Sequence, residues 1–172
     1  EDAVQRHCLL RGQWTFSANG NSVAPAPRAQ AEAGAEVVVA ENAWGRVGIS
    51  HAVEIAEKVM AEAMARVQPD DTVLVLGTGE FIHPPAVFAN TLAQRSGATV
   101  YFQSSTRSPA LEWNILQHKR TFADPYDEGV PYYLYNLPDN HAYQHIFICH
   151  EHPANAALRA TAAELNAHLV HL

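Results

Sequence analysis

The stretch Thr72-Val73-Leu74-Val75-Leu76-Gly77-Thr78-Gly79 decides the fold class of this chain. Its apolar run has the length of a strand and no polar alternation, which is typical of a strand buried on both faces of a parallel sheet. The run stops at a glycine-rich turn. Pro84 and Pro85 then suit the first turn of a helix, and Gly97 suits its C-terminal end.

The same pattern recurs on both sides of this unit. Ser50 is expected to cap a preceding helix, and Ser108 with Pro109 to open a later one. In chain order, the predicted elements are a helix carrying Val53, Ala56, Met60, Met64 and Val67, the strand from Thr72 to Leu76, a helix with Val87, Phe88 and Leu92, a strand from Thr99 to Gln103, a helix with Leu111, Ile115 and Leu116, a strand from His145 to Cys149, and a last helix with Leu158, Ala162, Leu165 and Leu169 on one stripe. Strands that alternate with helices predict an α/β fold, here a Rossmann-like three-layer domain with a mainly parallel sheet.

Two parts of the chain lack this regularity. Residues 1–35 are expected to be a linker or irregular segment, and residues 36–172 to form the domain, with short strands at 11–16 and 36–40. Between 121 and 140 the chain is rich in Pro, Tyr and Asp, so we expect irregular structure apart from Tyr132 to Tyr135. This segment is long enough to cover a site, and its tyrosines either pack over the sheet edge or stack on a base or a ribose.

The composition excludes several classes of function. The chain has 172 residues, of which 48% are hydrophobic and 17% charged, so one compact domain is expected. A net charge of −7 argues against binding to duplex nucleic acid. No apolar run approaches the roughly 20 residues of a membrane span, so no membrane partner is expected. The 2 cysteines, Cys8 and Cys149, indicate a reducing compartment, and we expect a cytoplasmic protein.

Two predicted loops at the carboxyl edge of the sheet carry the groups of an anion site. Gly77, Thr78 and Gly79 let backbone amides approach an anion just before a helix start, and ligands of parallel sheets bind at this edge. The loop Ser104-Ser105-Thr106-Arg107-Ser108 surrounds an arginine with hydroxyls before another predicted helix, which suits a phosphate or carboxylate. The alternatives are that the glycines only reverse the chain, and that the hydroxyls cap the turn while Arg107 pairs with an acidic neighbour on the surface.

A third loop, His150-Glu151-His152, brings a carboxylate and two imidazoles to a strand end. Glu151, and Glu80 in the first loop, are therefore candidates for general acid/base catalysis. The residue types also suit zinc, but no established metal-ligand spacing is present and no metal site is predicted. A nucleophilic role for Cys149 has little support, because adjacency in sequence does not place a base within hydrogen-bond reach.

Two stretches resemble a known family. They are Leu76-Gly77-Thr78-Gly79-Glu80-Phe81 and Phe102-Gln103-Ser104-Ser105-Thr106-Arg107-Ser108-Pro109, and the second contains the Thr-Arg-Ser-Pro motif of the TRSP domain family. The resemblance runs from about Arg46 to Glu151. It implies a bacterial domain found C-terminal to a phosphoribosyltransferase domain, in gene neighbourhoods linked to tellurite resistance and stress, with a role in making a nucleoside-like metabolite.

The stretch from Val73 to Gln103 is also similar, in part, to the diphosphate-sugar site of a phosphoribosyltransferase. In that site two acidic residues precede a loop rich in Thr and Gly. Leu76 and Gly77 stand at those acidic positions here. The likeness therefore implies phosphate binding by the amides of Thr78 and Gly79 without the metal-assisted transfer of a phosphoribosyl group.

Three hypotheses for function follow. The first is an accessory ligand-binding domain of a phosphoribosyltransferase-type system, which holds a phosphorylated nucleotide-like, sugar-phosphate or phosphoribosyl diphosphate-like molecule between the two loops. The second is an enzyme in which Glu80 or Glu151 acts as acid or base on such a metabolite. The third is a structural partner that docks on a phosphoribosyltransferase domain in the same or a neighbouring chain. The sequence identifies no cofactor.

Overall fold

A computed structural model describes residues 12, 13, 15, 52–126 and 128–172. Its elements, in chain order, are α1 (Glu57–Met64), β1 (Thr72–Gly77), α2 (His83–Ser96), β2 (Thr99–Ser104), β3 (Arg120–Phe122), β4 (Tyr132–Leu134), β5 (His145–His150), α3 (Ala156–Glu164) and β6 (His168–His171). Among the described residues, no helix combines the length and apolar character needed to cross a membrane.

Four parallel strands form the main sheet, in the order β2-β1-β5-β6. Within it Gly77 of β1 is paired with Ser104 of β2 and with Cys149 of β5, so three strands end at the same level. The loops that follow them therefore share one edge of the sheet. A smaller antiparallel pair, β3 with β4, lies outside this sheet.

Alternating side chains of the sheet enter two separate cores. Val73 and Val75 pack with the buried side chains of α1 and α2, whereas Leu74 and Leu76 pack with α3 and with Phe122 and Leu134 of the β3–β4 pair. All four β1 side chains are less than 5% exposed. The structure is thus an α/β fold with helices on both faces of a parallel sheet, and the prediction of a strand buried on both faces is confirmed.

The two helices before β2 follow their sequence signals to different extents. Helix α2 has Pro84 and Pro85 in its first turn, and it ends at Gly97, whose φ of 76° is left-handed, as predicted. Helix α1 begins only at Glu57, after Ala56 in an extended conformation with ψ of 132°. The sequence placed Val53, Ala56 and Val67 on this helix, but Val53 and Ala56 precede it and Val67 follows its end at Met64. Ser50 and the strands predicted at 11–16 and 36–40 lie outside the described residues, apart from residues 12, 13 and 15, which have no regular structure.

The prediction of a helix after Ser108 and Pro109 is wrong, because no helix lies among the described residues between β2 and β3. The segment instead contains a tight turn in which Trp113 and Leu116 exchange two backbone hydrogen bonds of 2.9 and 3.0 Å, with Asn114 at φ 53°. Leu111 and Ile115 are 58% and 79% exposed, so the apolar side chains bury no helical stripe. A cap and a proline do not stabilise a short helix without such burial.

The predicted last helix is too long. Helix α3 ends at Glu164, and Asn166 at φ 48° reverses the chain into β6, which places Leu169 on a strand. Leu169 follows Leu165 at helical spacing, but both side chains reach the same core from different elements. The prediction of irregular structure over 121–140 holds for most of the segment, with β4 at the predicted place, but it missed β3.

Candidate functional site

The carboxyl ends of β1 and β5 form the point at which the connections of the sheet change direction. The chain leaves β1 through α2 on one face and leaves β5 through α3 on the other. Open parallel sheets bind ligands in the crevice that such a divergence creates. The loops after β1, β2 and β5 meet here, and we describe their contacts from the sheet outward.

Thr78 occupies the centre of this edge. Its hydroxyl donates to the carbonyl of Cys149 at 3.3 Å and lies 2.9 Å from the Tyr126 hydroxyl, which itself donates to the Thr78 carbonyl at 3.0 Å. Thr78 is only 4% exposed. Thr78 thus joins β1, β5 and the segment 121–140, which we call the crossing segment. Its hydroxyl faces protein groups rather than open solvent.

The second loop approaches the first through Ser105. Its hydroxyl accepts a hydrogen bond from the Gly79 amide at 2.9 Å, and its own amide donates to the Gly77 carbonyl at 2.9 Å. Of the two amides predicted to bind phosphate, those of Thr78 and Gly79, the Gly79 amide therefore already donates to Ser105. Helix α2 adds few donors here, because Pro84 and Pro85 in its first turn have no N–H.

Close packing accounts for both glycines. A Cβ atom on Gly77 would lie 2.5 Å from the Phe81 carbonyl oxygen, and one on Gly79 would lie 2.6 Å from Cε1 of Tyr132. Gly79 also has a φ of 59°, which favours glycine. Close packing is thus a sufficient reason for a glycine at both positions, and the left-handed turn is a second reason at Gly79.

Arg107 lies where the crossing segment meets the loop after β2. Its Nε donates to the Tyr132 hydroxyl at 2.7 Å, its guanidinium carbon is 5.4 Å from the centre of that ring, and its outer nitrogen pairs with Glu128. The Arg107 side chain is 30% exposed and that of Glu128 is 49% exposed. Burial lowers the pKa of Arg107, but the hydrogen bonds to Tyr132 and Glu128 outweigh this effect and raise it. Arg107 is therefore a cation with one buried and one accessible side.

The other two side chains of the motif hold its shape. Thr106 exchanges two backbone hydrogen bonds with Tyr133, of 2.9 and 2.7 Å, and its hydroxyl accepts from the Ser108 amide at 3.1 Å. The Ser108 carbonyl accepts from the Tyr135 hydroxyl at 3.0 Å, while Ser108 itself is exposed. The motif thus fastens the β4 segment to the sheet and leaves Arg107 at its surface.

Tyr126 and Tyr132 lie beside each other over the carboxyl ends of β1 and β5. Their ring centres are 5.8 Å apart. Burial raises the pKa of Tyr132 to about 12, against the opposing effect of Arg107, so its hydroxyl keeps its proton. Beneath the tyrosines is a mostly apolar cavity of about 30 Å³, lined in part by Leu76, Ile148 and Leu158. It has room for a water molecule or two and not for a nucleotide.

A buried carboxylate shapes the loop that carries Glu128. Asp124 is 4% exposed, and its two carboxylate oxygens accept from the amides of Tyr126 at 2.8 Å and Val130 at 3.1 Å. Sequence reasoning named neither Glu128 nor Tyr126 as a site residue. Glu128 could have been found as an acidic residue in the segment 121–140. One alternative drawn from the sequence was already that Arg107 pairs with an acidic neighbour on the surface.

The third loop is arranged around His150. Its imidazole Nδ1 lies 2.6 Å from the His152 carbonyl, its ring stacks on His171 at 5.2 Å, and burial lowers its pKa. Its preferred form is therefore neutral, with Nδ1–H donating to the carbonyl. His152 packs against the ring of Tyr126 at 5.5 Å, and its Nδ1 atom is buried with no hydrogen-bond partner in the described part of the chain.

The two candidate acids occupy different positions. Glu80 is exposed directly after the first loop, and Glu151 is half-buried after β5, with its carbonyl 3.0 Å from Nε2 of His171. Glu128, rather than either of them, pairs with Arg107. Cys149 is fully buried in the core under α1 and α2, and burial raises its pKa, so it is a protonated core thiol. Within the described ranges, no group of three or more His, Cys, Asp or Glu side chains is arranged to hold a metal ion.

Comparison with known proteins identifies the class of this domain. A family model matches residues 43–169 and is described as "TRSP domain C terminus to PRTase_2", that is, a domain that follows a phosphoribosyltransferase domain. The chain belongs to the TRSP domain family. No curated protein and no solved structure gives a significant match.

Proposed function

We propose that this TRSP domain is an accessory ligand-binding domain of a phosphoribosyltransferase-type system. It holds a phosphorylated nucleotide-like or sugar-phosphate molecule at the carboxyl edge of the sheet, with Arg107 as the partner of the phosphate. The role in tellurite resistance and stress metabolism that the resemblance implies belongs to the same proposal, which places the domain beside the enzyme that makes or uses the ligand.

The hydrogen-bond partners of Arg107 are the main support for the proposal. Tyr132 fixes Nε on its buried side, and among the described residues the partner of the outer nitrogen is Glu128, an exposed carboxylate. Exposed ion pairs contribute about 0 to 1 kcal/mol, so a phosphate, which binds guanidinium with two parallel hydrogen bonds, is able to displace this carboxylate. Glu128 then acts as an internal competitor that occupies the arginine in the absence of ligand.

The position of the ligand follows from the packing. The cavity of about 30 Å³ beneath the tyrosines is too small, and the Gly79 amide already donates to Ser105. The ligand therefore binds on the outer side, where the exposed Ser108 is a further donor. Gly77, Thr78, Gly79 and Ser105 then support the ligand site from below, and Thr106, Arg107 and Ser108 form it.

A thermal-shift and calorimetric titration tests this function. The probes are phosphoribosyl diphosphate, adenosine monophosphate, ribose 5-phosphate and inorganic phosphate. A ligand at about 100 times its Kd stabilises the folded protein by roughly 2.7 kcal/mol. Arg107→Ala should abolish the shift, whereas Glu128→Gln should increase the affinity because the competing charge is removed.

Arg95 offers a matched control. It forms a double hydrogen bond of 2.7 Å to Glu57 far from this edge, so Arg95→Ala removes the same charge from another surface ion pair. The proposal requires that Arg95→Ala keep the ligand response. Equal responses in Arg107→Ala and Arg95→Ala would reject Arg107 as the binding residue, and weaker binding by Glu128→Gln would reject displacement of the carboxylate.

A second candidate function, docking on the phosphoribosyltransferase domain, is favoured by one observation. The turn after the motif presents Trp113 and Ile115 with 80% and 79% of their surface exposed. Large apolar side chains that are exposed together mark interaction surfaces, and tryptophan is enriched among the residues that dominate binding energy at interfaces. Trp113→Ala should weaken the complex with a separately purified phosphoribosyltransferase domain and leave ligand affinity unchanged, and unaltered complex formation would exclude this surface.

The enzymatic hypothesis for Glu80 and Glu151 stays a prediction. Both residues flank the divergence of β1 and β5, and a catalytic role requires one of them to reach the ligand that Arg107 holds. A Glu80→Gln/Glu151→Gln double variant that binds ligand with full turnover would exclude it.

A further inference from the structure

Strand β6 forms the edge of the described sheet opposite β2. Beta strand β6 pairs with β5 on one side, and no described strand lies beyond it. The amide of Leu172 donates to the His150 carbonyl at 3.1 Å, so residues 168, 170 and 172 direct their backbone groups toward β5. Because alternate residues of a parallel strand face opposite neighbours, Leu169 and His171 direct their N–H and C=O groups to the side away from β5. Such an edge is a template for another strand.

A groove follows this edge between two helices. It has a volume of about 610 Å³ and is lined by α1, β6 and α3. Val59 and Ala63 of α1 form one apolar wall, and Ala162 and Ala167 form the other. Its charged groups are Lys58, Arg66 and Arg159 against Glu62, which is a net positive charge. The groove is thus apolar at its walls and basic at its rim, and it lies along the backbone groups of β6 that face away from β5.

The connections of the sheet show which part of the chain belongs there. From β1 through α2 to β2 the chain moves toward one edge with its helix on one face, and from β5 through α3 to β6 it moves toward the other edge with its helix on the other face. These two crossovers have the same hand, as parallel sheets almost always require. Helix α1 packs on the face of α2 and leads into β1. A strand that precedes α1 must therefore enter from the side of β5 and β6, where the first vacant position is beyond β6.

The sequence before α1 contains a segment with the matching properties. Glu36-Val37-Val38-Val39-Ala40 is an apolar, β-branched run, with acidic residues at Glu36 and Glu41. The valines suit the apolar walls, and the two carboxylates suit the cationic rim. Sixteen residues separate Ala40 from Glu57, which is ample length for a connection to the start of α1. We propose that residues 36–40 dock in this groove as a fifth parallel strand beside β6.

Hydrogen exchange of single amides, followed by NMR on the whole chain, tests the proposal. In the wild-type chain the amides of Leu169 and His171 should be protected, although no described group accepts from them. A Val37→Pro/Val38→Pro double variant removes two successive backbone donors, of which one must face β6, and it should accelerate exchange at Leu169 and His171 by about tenfold or more. The amide of Val170 faces β5 and should stay protected, which shows that the domain remains folded.

Two further variants make the test specific. Val23→Pro/Ala24→Pro introduces the same prolines outside the proposed strand and should leave the protection unchanged. Glu36→Lys/Glu41→Lys reverses the complementary charges and should reduce it, less so at high salt. Unprotected wild-type amides, or equal protection in both proline variants, would overturn the proposal. Protection that rises with protein concentration would overturn it as well, because a second copy would then occupy the edge.

Discussion

Replacement of Gly79 by alanine examines the link between the glycine loop and Arg107. The new Cβ atom would lie 2.6 Å from Cε1 and 2.9 Å from the hydroxyl of Tyr132, so the ring must shift. The Tyr132 hydroxyl accepts the 2.7 Å hydrogen bond from Arg107, and a hydrogen bond to a charged group is worth about 1.5–3 kcal/mol. Gly79→Ala therefore disturbs the buried anchor of the arginine as well as the turn.

The magnitude has two parts. A left-handed alanine costs about 1–2 kcal/mol, of which the reduced entropy of the unfolded chain returns about 0.4–1 kcal/mol. With the weakened Arg107 bond, the total destabilisation is about 2–4 kcal/mol. Gly97 provides the control, because its φ is 76° and its Cβ would meet only the Pro69 Cβ at 3.7 Å. Gly97→Ala should cost about 1 kcal/mol, from backbone strain alone.

Urea unfolding followed by circular dichroism measures both variants, with the free energy of unfolding obtained by linear extrapolation. Gly79→Ala should also weaken the response to phosphate ligands. If the two variants lose the same stability, the close approach of Tyr132 contributes nothing and the coupling of the glycine loop to Arg107 is refuted.

Three further predictions concern the other groups at this edge. Tyr126→Phe removes both hydrogen bonds to Thr78 and should lower the free energy of unfolding by about 1–2 kcal/mol in urea titrations, and an unchanged midpoint would contradict the contacts. Burial holds the pKa of His150 in the folded protein below its value of 6.5 in the unfolded chain. As the pH falls from 6.5 toward the folded pKa, only the unfolded chain takes up the proton. The neutral His150 therefore destabilises the folded protein progressively over this range and not above it. The stability difference between pH 7.5 and pH 5 should accordingly be smaller in His150→Phe than in the wild-type chain, and an equal or larger difference would contradict this assignment. The Cys149 thiol should resist iodoacetamide in the native protein and react in urea, as seen by peptide mass spectrometry, whereas rapid native labelling would show that the β5 end opens readily.

The sequence was sufficient for the elements whose burial pattern is strong. The apolar runs of β1 and β5 have the length and composition of buried strands. Helix α2 carries proline at its start and glycine at its end. Their order places Gly77, Ser105 and Arg107 near one edge of the sheet, as expected from parallel pairing. What the pattern could not give is the partner of each group, because hydrogen bonds such as Gly79 to Ser105 depend on side-chain positions in three dimensions.

The errors have identifiable physical causes. After Ser108 and Pro109 the start signals of a helix are present, yet the segment is anchored by hydrogen bonds between Gln117 and Asn136, at 2.6 and 2.8 Å, which a helix would exclude. At the C-terminus, Leu169 continues the helical spacing of α3, and the left-handed Asn166 was the available sign of a break. In the first place a local pattern was overridden by contacts between distant residues, and in the second by a local left-handed turn.

Asp124 has a consequence for which side chains position 128 can carry. One buried carboxylate binds the amides of both Tyr126 and Val130, and neither hydrogen bond involves the side chain at position 128. A change of charge or size at position 128 therefore leaves both partners of Asp124 in place. If Arg107 binds the proposed phosphate, a substitution at position 128 changes what competes with that phosphate, while the two hydrogen bonds of Asp124 remain.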